Sequence, residues 1–131
     1  MSALHTSMVS ELRNVVVPLL RAKGFRGSMP HFRRPHEKGI DLLTFQFDHW
    51  GGGFVIEIAR SPSDGVTMHW GAKVSPSKVT AHDLDERHRL QPRSGSGRDD
   101  WFRFDDGNCQ VASRQVISLL PAAERWWNKH A

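Results

Sequence analysis

Apolar residues recur at intervals of three and four positions near the start of the chain, which predicts one amphipathic helix over residues 6–23. Pro18 lies inside this segment and is expected to kink it or to separate its last turn, because proline has no N–H to donate. Gly24 then supplies a helix end signal. The apolar stripe consists of Leu4, Met8, Leu12, Val15, Val16, Leu19 and Leu20.

A two-residue alternation replaces the helical pattern in the middle of the chain. Residues 25–34 have weak strand character, interrupted by a glycine and a proline. Residues 40–48 and 54–59 alternate clearly, and a glycine triplet separates them, so we predict an antiparallel hairpin. Gln46 is expected on the face opposite Phe45, where a buried amide would need hydrogen-bond partners.

The second half of the chain combines short strand patterns with a long C-terminal helix. In that helix, Pro121 is expected either to kink the chain or to begin a second helix at its first turn. Trp126 and Trp127 point about 100° apart on a helix, so Trp127 continues the apolar face and Trp126 is a candidate for partial exposure or a dimer contact. The predicted elements are a strand with Met68 and Trp70 on one face (66–74), a charged stretch with a short helix (78–89), a loop (91–99), an aromatic strand (101–104) and the helix (111–129).

The order of helix, about five strands and helix predicts an α+β fold, in which an antiparallel sheet is flanked by an N-terminal and a C-terminal helix. A chain of 131 residues favours a single domain over residues 1–131. The start of the chain lacks a signal-peptide pattern, and no apolar run is long enough to cross a membrane. Together with a single cysteine, Cys109, these features favour a cytoplasmic location.

The positive charge of the chain is concentrated in two stretches. The formal net charge is +4 and the sequence pI is about 9.8. Residues 21–38 interleave basic side chains with Phe25 and Phe32, a composition typical of sites for single-stranded nucleic acid. The competing interpretation is a charged sheet edge, protected against pairing with another sheet. The second stretch, residues 87–98, could form one surface with the first.

Candidate chemistry is sparse. None of the eight histidines has the helical i, i+4 spacing with a nearby carboxylate that zinc enzymes use, so we expect surface histidines and no metal or cofactor. Cys109 follows an acidic turn, which disfavours a reactive thiolate. The glycine-rich residues 94–97 lack the following Gly-Lys-Ser/Thr of a phosphate loop. No catalytic residue is predicted, although a small enzyme with an unrecognised site stays an alternative.

Several short segments of the chain are informative as a set. They are Leu19-Leu20, Lys23-Gly24-Phe25, Phe32-Arg33-Arg34, Leu43-Thr44-Phe45-Gln46, Phe54-Val55-Ile56-Glu57-Ile58, Arg87-His88-Arg89-Leu90 and Asp100-Trp101-Phe102. This order resembles DUF4304, a mainly bacterial family of domains of unknown function. The resemblance implies no established activity. Small domains of this sort are often suspected to be partner-binding modules, including immunity proteins against toxins.

These observations predict a non-enzymatic binding protein. The expected partner is another protein, with a second copy of the chain as a further option, and nucleic acid bound through residues 21–38 is the alternative. Since the chain is basic, a partner surface of acidic or mixed charge is favoured. Arginine and tryptophan are enriched at the energetic centres of interfaces. The candidate binding surface therefore comprises Arg33, Arg34, Gln46, Trp50, Arg87, Arg89 and Trp101.

Overall fold

The computed structural model describes residues 3–49, 51–92 and 101–130. It has helices on one face of an antiparallel sheet, so the predicted α+β architecture is confirmed. The helical elements are α1 (Ala3–Glu11), a π-helical turn (Leu12–Val16), α2 (Val17–Ala22), a 3₁₀ turn (Ala81–Asp83) and α3 (Cys109–Lys129). The strands are β1 (Arg26–Ser28), β2 (His31–His36), β3 (Gly39–Phe47), β4 (Gly53–Ser61), β5 (Val66–Thr67), β6 (Lys73–Val74), β7 (Arg87–Leu90) and β8 (Phe102–Arg103).

The predicted N-terminal helix forms, but it is interrupted by a π turn that precedes Pro18 rather than by a kink at Pro18 itself. Hydrogen bonding widens to a π turn between α1 and α2, where the Val17 N–H donates to the Leu12 carbonyl. Pro18 follows in the first turn of α2, so its missing N–H falls beside the altered hydrogen bonding. Gly24 ends the helix at φ +98°, a conformation that glycine adopts readily.

The main sheet has the strand order β1-β2-β3-β4-β7, and β8 also pairs with β4. The β3–β4 hairpin confirms the predicted antiparallel pair and aligns Leu43 with Ile58. Phe45 packs in the core under the helices, whereas Leu42 packs on the opposite face, as the alternation predicts. The register is set by burial, because a slip of one residue would exchange the two faces.

The face of the sheet that points away from the helices, the outer face, is covered only in part. A small apolar cluster is fully buried where the segment that follows β4 packs against this face. It includes Ala59 of the sheet and Val79 and Ala81 of the covering segment. The helix-side core is much larger and contains all the buried aromatic residues of the described ranges. These are Phe25, Phe32, Phe45, Phe54, Phe102, Phe104 and Trp127.

Two predictions for the second half of the chain are wrong in detail. Residues 66–74 form a small hairpin of β5 and β6 rather than one strand, because the chain turns back at Gly71, which has φ +93°. Trp70 consequently lies at the hairpin tip, with 64% of its surface exposed. The charged stretch contains the expected short helical turn, but it then continues into β7, which the residue pattern does not predict.

The C-terminal helix begins earlier than expected, at Cys109, and is not divided at Pro121. Pro121 is exposed and lies inside α3, which continues to Lys129 without a second start. Trp127 is buried and Trp126 is half-buried, as their spacing predicts. No helix in the described ranges is long and apolar enough to cross a membrane. Most of the predicted 91–99 loop lies outside the described residues.

Candidate functional site

One polar residue from each of four adjacent strands forms a row across the outer face. His31 of β2 is aligned with Thr44 of β3, Thr44 with Glu57 of β4, and Glu57 with Arg89 of β7. Side chains directly opposite one another in antiparallel strands are about 5 Å apart at Cβ, so neighbours in this polar row can interact. The strict alternation of β3 and β4 places these polar groups on the outer face, away from the helices.

Arg89 ends the polar row at the edge of the described sheet. Its Nη2 atom donates to Oε1 of Glu57 at 3.0 Å, and its Cζ atom lies 5.8 Å from the centre of the Trp101 ring. Glu57 is only 8% exposed, whereas Arg89 is exposed. Arg87 is also exposed and lies two residues earlier, on the same face. A buried carboxylate and an indole therefore hold an accessible guanidinium in place.

His31, at the other end of the polar row, makes a local hydrogen bond rather than a catalytic pair. Its Nδ1 atom is 2.9 Å from the Thr44 hydroxyl, and the centres of the His31 and His82 rings are 6.1 Å apart, with the two rings nearly perpendicular. Burial, followed by the charges of His82 and Arg33, lowers the pKa of His31. Asp83 partly opposes this shift. Because Thr44 is only 1% exposed, its hydroxyl is not accessible to a substrate.

The lowered pKa of His31 makes stability depend on pH. Below about pH 6.5 the unfolded state takes up this proton before the folded state does, so acidification favours unfolding. We expect the wild type to lose more unfolding free energy than His31→Asn between about pH 7.5 and about pH 5.5, since the asparagine amide can still meet Thr44. Urea denaturation at both pH values measures this difference. His69→Asn, at the hairpin tip, is the control, and an unchanged pH dependence in His31→Asn would contradict the assignment.

Arg33 and Arg34 point to opposite faces of the sheet, so they do not form one surface. Arg33 lies on the outer face and donates from Nε to the Val79 carbonyl at 2.7 Å, which fastens the covering segment. Arg34 lies on the helix side, where it binds Asp41 at 2.8 Å and Glu124 at 2.8 Å. Burial lowers the pKa of Arg34, but its hydrogen bonds to the two carboxylates outweigh this effect and raise it.

Asp41 is the centre of a charged network beneath α3 that sequence reasoning missed. Although only 2% exposed, it accepts from Nε of Arg34 at 2.9 Å and from Nε of Arg60 at 2.6 Å, and His36 lies 3.1 Å away. Arg60 also donates to the Trp127 carbonyl at 2.9 Å. The network ties the end of α3 to the sheet, so we assign it a structural role. The signal in the sequence is an aspartate placed directly between two apolar strand residues, Ile40 and Leu42.

Two further residues of the predicted binding surface are Gln46 and Trp50. Gln46 lies on the outer face, half-buried and opposite Val55, in the row next to Thr44 and Glu57. Trp50 lies outside the described residues. The structure thus places Arg89 against Trp101 at one edge, with Arg87 two residues earlier on the same face of β7 and Gln46 also on that face.

Other reactive groups add little to this site. Burial, then the charges of Glu11 and Asp106, raises the pKa of the Cys109 thiol, which favours the unreactive protonated form. In the part of the chain that the structure describes, no group of three His, Cys, Asp or Glu residues could hold a metal ion.

The model of one protein family, described as "Domain of unknown function (DUF4304)", matches residues 16–130 of the chain. The chain belongs to the DUF4304 family. The DUF4304 match begins at the end of the π turn and includes the whole main sheet and α3, so it extends beyond the segments that carry the sequence resemblance. Neither a curated protein nor a solved structure matches the chain.

Proposed function

We propose that this domain is a non-enzymatic module that binds another protein through Arg87, Arg89 and Trp101, the Arg–Trp patch. The observation that carries the proposal is the fixed position of the Arg89 guanidinium between Glu57 and Trp101. A side chain that is already ordered loses less conformational entropy when a partner binds it. Arginine and tryptophan are also the residue types most often found at the energetic centres of interfaces.

The charge of the patch favours a partner with exposed carboxylates. Arg87 and Arg89 are both exposed, and their side chains lie about 7 Å apart along one face of β7. A guanidinium can bind a carboxylate through two parallel hydrogen bonds. We therefore propose a partner surface of acidic or mixed charge, met in the bacterial cytoplasm. A toxin with such a surface is one example, in which case the domain would act as its immunity protein.

Nucleic-acid binding through residues 21–38 has less support. Arg21 donates to the Gly27 carbonyl at 3.0 Å. Arg33 donates to the Val79 carbonyl, and Arg34 forms an ion pair with Asp41. Three guanidinium groups of the stretch are thereby engaged within the domain. An enzymatic role has little support from the geometry either, because the buried carboxylate of Glu57 is already paired with Arg89.

A pull-down from the native host tests the proposal. The variant Arg87→Ala/Trp101→Ala keeps the Glu57–Arg89 ion pair, so the sheet should stay folded. We expect it to bind the partner captured by the wild type at least about 100-fold more weakly, since two interface centres are lost. Mass spectrometry identifies the captured protein, and calorimetry on the purified pair measures the dissociation constant.

A matched control separates the patch from general effects of removing arginine and tryptophan. Arg26→Ala/Trp70→Ala removes an exposed arginine of β1 and the exposed tryptophan of the β5–β6 hairpin. This control should bind like the wild type. Equal binding by the patch variant, or capture of nucleic acid whose affinity falls steeply with salt, would contradict the proposal.

A further inference from the structure

A groove of about 580 Å³ lies between α1 with its π turn and the turn that joins β1 to β2. Its size falls within the range of about 300–1,000 Å³ that is typical of small-molecule sites. None of its lining residues belongs to the Arg–Trp patch, the polar row or the Asp41 network. The groove is therefore independent of the proposed protein-binding surface.

The helical wall of the groove is polar along one stripe. Met8 and Leu12 form the stripe of the helix that is buried in the core. A second stripe, with Val9, Ser10 and Arg13, lies over the groove. Residues three and four positions apart share a helix face, so these side chains present a hydroxyl and a guanidinium to the same space.

The opposite wall of the groove is apolar and packs against the main core. It consists of Met29 and Pro30 from the β1–β2 turn and Phe47 from the end of β3. Met29 and Phe47 are partly buried and pack against the main core, and the His5 ring lies 4.6 Å from the Phe47 ring. This wall offers a fixed surface to the apolar body of a ligand.

The charge of the groove is positive. Arg13 lines it, and none of the described residues that line it is a carboxylate. Arg34, Arg60 and Arg89 each bind a carboxylate of the chain, whereas Arg13 has no such ion pair within the described ranges. Arg13 also lies in the π turn, and π turns are frequent at functional sites.

We propose that this groove binds a small amphipathic anion. Its apolar body lies against Met29, Pro30 and Phe47, and its carboxylate, sulfonate or phosphate group meets the guanidinium of Arg13 and the hydroxyl of Ser10. The groove has the two features that such ligands require, an apolar wall for the body and a small number of polar groups that fix the charged end.

Titration with anilinonaphthalene sulfonate, an amphipathic anion that fluoresces in apolar sites, tests the proposal. The wild type should bind one equivalent with saturation, and Arg13→Gln should weaken binding about tenfold through loss of a charge-assisted hydrogen bond. Val9→Trp should fill the groove and abolish binding. Arg114→Gln, an exposed arginine on α3, is the matched control and should bind like the wild type.

Competition on the wild type keeps the test independent of how the variants fold. Decanoate should displace the probe, and decanol, which has the same apolar chain without a charge, should do so much less effectively. Equal displacement by both compounds would overturn the proposed anion site. Equal probe binding by Arg13→Gln and Arg114→Gln, or undiminished binding by folded Val9→Trp, would overturn it as well.

Discussion

Replacing Asp41 with asparagine is expected to lower the free energy of unfolding by about 3–5 kcal/mol. The carboxylate is buried and is shared by Arg34 and Arg60, with His36 beside it. Asparagine has nearly the same shape but no charge, so two largely buried guanidinium groups would lose their common counter-ion. Arg34 keeps its ion pair with Glu124, so the cost arises mainly from leaving the charge of Arg60 without its carboxylate rather than from the net value of the ion pairs.

Urea denaturation followed by circular dichroism measures this loss. Asp85→Asn is the control, because Asp85 is exposed, and it should change stability by less than about 0.5 kcal/mol. Glu124 still binds Arg34 in the Asp41 variant, so the domain should fold with its secondary structure intact. A change in Asp41→Asn as small as that of the control would show that solvent compensates both arginines and that the network is not important for stability.

The central hairpin could be predicted because burial on both faces constrains its residues. Phe45 packs under the helices and Leu42 under the outer segment, and the glycine triplet supplies the turn between the strands. The period of two is therefore visible in the sequence itself. The same argument applies to α3, whose three- and four-residue spacing places Trp127 in the core and leaves Trp126 half-buried.

Strand β7 could not be predicted from its residues. Arg87, His88 and Arg89 are all exposed, and only Leu90 reaches the core. This segment becomes a strand because the edge of β4 offers backbone hydrogen-bonding groups that need partners. Such pairing is a tertiary effect, and it leaves no hydrophobic pattern in a short polar sequence.

Part of the candidate surface could be predicted from the alternation of side chains along a strand. Adjacent residues on a strand point to opposite faces, so a strand prediction over Arg33 and Arg34 already implies that they cannot bind one partner side by side. What the sequence could not supply is the identity of their neighbours. Asp41 and Glu124 come close to Arg34 only through the register of the sheet and the packing of α3.

Replacing Trp127 with alanine is expected to destabilise the domain by about 3–5 kcal/mol. Trp127 is only 2% exposed, and its ring lies 5.3 Å from that of Phe25 and 5.2 Å from the guanidinium carbon of Arg34. Its Nε1–H donates to the buried Ala59 carbonyl at 2.9 Å. Alanine would leave a cavity between α3 and the sheet and would remove this hydrogen bond. Thermal and urea denaturation both measure the effect.

Two further variants separate the contributions of packing and hydrogen bonding. Trp127→Phe retains most of the apolar volume but leaves the Ala59 carbonyl without its donor, so it should cost about 1–3 kcal/mol. Trp126→Ala is the matched control, because Trp126 is half-buried and stacks on His130 at 3.9 Å, at the surface of the same helix. It should cost less than Trp127→Ala. The reverse order would mean that α3 packs through a different face, and the Arg34 contacts beneath it would then need to be reassigned.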